Sequence, residues 1–228
     1  MLFYKIEIKN SPIIKYKMTD TIIQVTIPFV KTMVEKYNID ESHGLSHSLD
    51  VTRHAIIMMK EELLEEPIQQ CVIVLSAMLH DMCDKKYGRE KEGLDDIHNF
   101  LSQLLTTKET IRLIEAIIQT MSYSKVIVNG FPTFETDWEQ KAYHIVREAD
   151  LLCAYDMNRC ITYHLYNVNN NVELAIKNAT ILLRERVLKH GENGLLTLNY
   201  SKKMAILFEP IACKQMKQWN EILASSNI

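Results

Sequence analysis

The chain has 228 residues, 47% hydrophobic and 24% charged, with a formal net charge of −3 and a pI near 6.2. So much apolar side chain at so low a net charge excludes a disordered chain, and the acidic balance excludes a general attraction to nucleic acid or an anionic membrane surface. Six glycines and five prolines, about 5% of the chain against roughly 12% in average usage, are too few for a sandwich or barrel of many hairpins. The expected fold class is all-α, a single helical bundle.

In chain order, the period-two pattern of Phe3 to Met18 around Asn10-Ser11-Pro12 suggests a short two-stranded hairpin. Residues 1–18 are therefore read as an N-terminal extension and 19–228 as the domain, although Met18 also suits a natural start. Lys5, Glu7 and Lys9 break any signal-peptide core, and no 18-residue apolar run follows. From Thr19 the spacing becomes helical, with Thr19-Asp20 as caps and Pro28 as a kink or break before Lys36. Further helices are expected from Leu45 or Ser46 to Leu64, Ile68 to Met82, Leu94 to Leu105, Lys108 to Met121, Asp137 to Asp156, Arg159 to Asn167, Val172 to His190 and Ser201 to Ala224. The Ile68 to Met82 segment is apolar on most of its circumference, as in the middle of a bundle. Asp84 to Gly93 reads as a charged loop over its end, and Ser122 to Phe134 as the longest interruption. Cys71, Cys83, Cys153, Cys160 and Cys213 are odd in number and lack Cys-x-x-Cys spacing, so reduced thiols in a cytoplasmic setting are expected.

Four residues stand out chemically: His47 at the start of the second helix, His80-Asp81 at the end of the apolar one, and Asp150. Imidazole nitrogen and carboxylate oxygen together suit a divalent transition metal. An aspartate directly after an apolar helix, with a second acid at Asp84, is costly unless its charge is compensated. A metal ion and an ion-paired or capped helix end are the two readings of these residues alone.

Leu79-His80-Asp81-Met82-Cys83-Asp84-Lys85-Lys86-Tyr87, with Ser42-His43-Gly44-Leu45-Ser46-His47 before it and Val146-Arg147-Glu148-Ala149-Asp150 after it, resembles the HD superfamily of metal-dependent phosphohydrolases. The resemblance runs from about Asp20 to Trp219. It points to the small bacterial HD hydrolases, some of which are nucleotide pyrophosphohydrolases. It implies an HD-domain bundle in which His47, His80, Asp81 and Asp150 hold one divalent ion, manganese in the first place and magnesium, cobalt, nickel or iron otherwise. The implied substrate is a small-molecule phosphate, a nucleotide by preference, and neither nucleic acid nor membrane is expected as a partner. Two departures stand out. Asp50 occupies the place where this branch often has an arginine, with Arg53 the nearest one, and Asp84-Lys85 replaces the Glu-Asp pair of relatives that hydrolyse guanosine tetraphosphate.

Within that frame Asp84 is the candidate to orient or deprotonate the attacking water, its other reading being a loop acid that caps the Lys85-Lys86 segment. Lys85, Arg53 and Arg147 are the candidate phosphate contacts, and His43 the candidate for a supporting or substrate-binding role. Lys86, Arg89 and Lys91 read as a solvated face, and His144, His164 and His190 as ordinary helix residues.

Overall fold

Helical spacing resolves into ten α-helices and no strand among the described residues of the computed structural model, which are 12–105 and 107–225, without the side chains of 12–17 and of Lys85. The helices are α1 (Pro12–Tyr37), α2 (Leu45–Glu61), α3 (Pro67–Leu79), α4 (Glu90–Leu104), α5 (Lys108–Thr120), α6 (Tyr123–Asn129), α7 (Asp137–Cys153), α8 (Met157–Asn167), α9 (Val172–Glu185) and α10 (Asn199–Ser225). No described helix is long and apolar enough to cross a membrane, and all five cysteines are free.

The centre is α3. Pro67 starts it behind a capping box in which the Glu66 and Gln69 side chains exchange bonds with each other's backbone. Every residue from Gln70 to Leu79 is buried, and α1, α2, α5 and α7 pack around it. A helix apolar all round needs neighbours on every side, and this arrangement supplies them. It ends at Leu79, a turn earlier than Met82, where the Met82 N–H turns back to the Leu79 carbonyl at 3.0 Å. His80 and Asp81 thus stand at the C-terminal end of the most buried element.

Several expectations are corrected. The second half of the proposed hairpin is helix, because α1 begins at Pro12 and passes through residues 18 and 19 without a break; the first half lies outside the described residues. Pro28 does not interrupt α1. It forfeits one backbone hydrogen bond, and burial of Ile22, Val30 and Met33 on either side of it keeps the helix whole. The charged Asp84 to Gly93 loop already contains the first turn of α4, where Glu90 and Glu92 complement the helix dipole. Ser122 to Phe134 contains α6, closed by Gly130 at φ 74.

Candidate metal centre and cleft

Three segments bring the cluster together. His47 lies in the first turn of α2, just after a 3-10 turn at Glu41–His43 that Asp40 caps by accepting from the Ser42 N–H at 3.0 Å. His80 and Asp81 come from the end of α3, and Asp150 from α7, whose start is set by the Thr136/Glu139 capping box. His47 Nε2 lies 3.1 Å from His80 Nε2, 3.2 Å from Asp81 Oδ2 and 3.2 Å from Asp150 Oδ1. His80 Nε2 lies 3.1 Å from Asp81 Oδ2 and 3.8 Å from Asp150 Oδ1. His47, His80 and Asp81 are buried and offer ligand atoms within 4.8 Å of one another.

These separations fit a shared cation. Ligand atoms about 2.1 Å from one ion lie about 3.0 Å apart at a right angle and about 3.4 Å apart at a tetrahedral one. Asp81 Oδ2 is buried and in no hydrogen bond although two ring nitrogens stand beside it. His80 Nδ1 faces the Ala77 carbonyl at 2.9 Å, an outer contact that turns Nε2 towards the cluster. Burial works against charge on His80, but Asp81 and Asp150 outweigh it and raise the imidazole to about 9. Burial likewise opposes ionisation of Asp81, while His80 and His43 hold it well below the usual carboxylate range. Two imidazoles and two carboxylates in this arrangement could hold a divalent ion.

The cluster opens into a cleft of about 470 Å³. His43 lines it, its ring 5.8 Å from that of His47 and 5.4 Å from that of Tyr163. Its Nδ1 sits 3.2 Å from Asp40 Oδ2, which also accepts from the Tyr87 hydroxyl at 2.6 Å. Burial lowers the pKa of His43. Asp84 lines the cleft as well, but its Oδ1 accepts from the Lys86 N–H at 2.9 Å and so caps the Lys85–Tyr87 turn.

The two arginines chosen from sequence are not in the cleft. Arg53 is exposed, pairs with Asp50 at 3.4 Å and lines a separate depression of about 380 Å³. Arg147 points into the interior, 2.8 Å from Glu148 and stacked 4.6 Å from the Phe131 ring centre. A side chain on a helix leans towards its N-terminus, which takes Arg147 to His144 rather than to Asp150. The side chain of Lys85 lies outside the described residues.

Other cations line the cleft instead: Lys86, Lys125, Arg159 and Arg186. Lys86, read as part of a solvated face, extends 5.7 Å from the Tyr163 ring centre. Arg159 was missed. Its Nε donates to the Ser42 carbonyl at 2.8 Å, and its Nη2 lies 2.9 Å from His47 Nε2 and 3.9 Å from Asp150 Oδ1. A signal for it existed: Arg159 is the sole lysine or arginine between Asp150 and Asn167, and the turn between α7 and α8 folds it back beside Asp150. His164, read as an ordinary helix residue, also lines the cleft.

No family model and no curated protein matches the chain. Among solved structures it is similar to a structural-genomics target from Lactobacillus plantarum, with 17% identity and a TM-score of 0.65 over 91% of this chain and 99% of that one. At that identity the likeness concerns the fold alone.

Proposed function

We propose that the chain is an HD-type metal-dependent phosphohydrolase acting on a nucleotide or a related phosphate ester or anhydride, and in its most specific form a nucleoside triphosphate pyrophosphohydrolase. The observation that carries this is the convergence of His47, His80, Asp81 and Asp150 at 3.1 to 3.8 Å beside a cleft lined by four cationic side chains. A divalent ion held by these four, manganese in the first place, supplies Lewis acidity and lowers the pKa of bound water. The remaining work falls to the chain's own groups. Arg159, anchored on the Ser42 carbonyl, presents a fixed guanidinium to a phosphoryl oxygen. Asp84, whose Oδ1 caps its turn and whose Oδ2 faces Lys86 Nζ at 3.7 Å, can turn Oδ2 to a water. His43, with Nδ1 turned to Asp40, leaves Nε2 for the substrate.

One observation favours a second reading. Arg159 Nη2 lies 2.9 Å from the His47 nitrogen that an ion would use, so a guanidinium can compensate the carboxylates in a metal- or nucleotide-binding domain without turnover. Nucleotide monophosphatase action uses the same residues and differs only in product. Purified protein with manganese, assayed over a nucleotide panel with pyrophosphate separated from orthophosphate, discriminates all three. Turnover abolished by Asp81→Ala is expected. No product with any divalent ion refutes hydrolysis, and calorimetric nucleotide binding without turnover establishes the second reading.

A further inference from the structure

Arg186, just beyond α9, is left unused by the proposed chemistry, as are the cleft cations Lys86 and Lys125, which pair with Asp84 and Glu90. Arg53, Arg147 and Arg159 each have a carboxylate within reach, whereas Arg186 makes no ion pair among the described residues. Its Nε is buried without a hydrogen-bond partner. Its guanidinium carbon lies 3.6 Å from the ring centre of Tyr123, and both residues line the cleft. His164, on the facing helix α8, also lines the cleft and has a buried Nε2 without a partner.

The Nε of Arg186 is withdrawn from water and unpaired, which is costly, and burial works against the charge of the group. Stacking on Tyr123 fixes the plane of the group, so its N–H edge is held ready for an acceptor in that plane. Two oxygens on one phosphorus match this planar fork. Arg159 already serves the end of the cleft at the His/Asp cluster, while Arg186 stands on the wall made by α6 and α9.

We propose that Arg186, braced by Tyr123, forms a second oxyanion subsite of the cleft, which binds a phosphate group of the ligand other than the one at the His/Asp cluster. This rests on the reading of the cleft as a phosphate site, and it makes the ligand one that carries two or more phosphate groups. The nucleotide's terminal phosphates then span from the cluster to α9.

The test is calorimetric titration of the full chain with inorganic pyrophosphate, comparing wild type, Arg186→Gln, Arg186→Lys and Asp81→Ala. Arg186→Gln is expected to weaken binding about tenfold or more, the loss typical of a hydrogen bond to a charged group. Arg186→Lys keeps the charge without the planar fork and is expected to weaken it by a smaller factor; it also serves should the glutamine variant fail to fold. Asp81→Ala is expected to lose turnover while still binding pyrophosphate. Unchanged affinity in a folded Arg186 variant overturns the subsite whatever turnover shows. Weakened affinity in a protein that hydrolyses nothing supports the subsite and removes only the hydrolytic reading.

Discussion

Gly93→Ala tests how the segment after the His-Asp pair is held. Gly93 sits in the first turn of α4, buried against the chain that follows Asp81. A Cβ there would meet the Met82 carbonyl oxygen at 2.8 Å and Cys83 Cα and Cβ at 3.0 Å. Two of these atoms are backbone and cannot rotate away, so the helix and the Met82-Cys83 turn must separate. Overpacking of this kind costs about 1 to 3 kcal/mol, and the backbone contacts place it near the upper end. Alanine returns about 1 kcal/mol through helix propensity. The net loss of about 1 to 2 kcal/mol corresponds to a melting temperature lower by roughly 2 to 8 °C for a chain of this size. If the His/Asp cluster holds the proposed divalent ion, affinity for it falls as well, because the displaced turn is continuous with Asp81. Thermal unfolding and metal titration of the purified variant measure both. A helical glycine in open space would show the opposite sign, so an equal or higher melting temperature refutes the close approach.

Other outcomes follow from the interior. Glu148 accepts from Arg147 at 2.8 Å, from the Thr197 N–H at 2.8 Å and from the Leu198 N–H at 3.1 Å, tying α7 to the start of α10; Glu148→Ala leaves Arg147 buried and unpaired and is expected to cost about 3 to 5 kcal/mol in denaturant unfolding. His190 is fully buried with neither ring nitrogen bonded, between the rings of Tyr123 and Tyr155. Burial, helped by Arg186 and Arg147 and opposed by Asp150, lowers its pKa from 6.5 to about 3. The folded state therefore keeps it neutral: its contribution is complete above pH 6.5 and is lost as pH falls towards 3, at about 1.4 kcal/mol per unit. His190→Leu is expected to flatten that acid limb, and identical limbs in the two proteins contradict the assignment. Leu63 holds φ 56 and is exposed, beside the Leu64 N–H to Met59 carbonyl bond of 3.0 Å that closes α2. Leu63→Gly, which relieves the left-handed strain, is expected to raise stability by about 1 kcal/mol.

The scarcity of glycine and proline and the helical spacing made an all-α fold legible, and the nearly uninterrupted apolar run of α3 marked the centre. His80-Asp81 was visible for the same reason: ionisable side chains directly after such a run stand out against their surroundings. Boundaries that depend on one turn were less visible. Gly93 reads as a loop glycine beside Glu90 and Glu92, and only packing against Met82 and Cys83 reveals it as a close contact inside a helix.

The cations divide along the same line. Sequence places Arg147 one helical turn from Asp150, but a buried guanidinium goes where a carboxylate and aromatic faces can hold it, and here those are Glu148 and Phe131. Arg159 and Arg186 reach the cleft through the way α8 and α9 fold back over the cluster, a long-range arrangement of which the sequence shows only the isolation of Arg159 after Asp150. By itself the sequence determined the fold class and the buried helix and singled out four residues that the fold brings together, because hydrophobic periodicity and misplaced charge are local properties. Tertiary structure decided which cations face that centre, because a side chain's partner depends on which helices pack together.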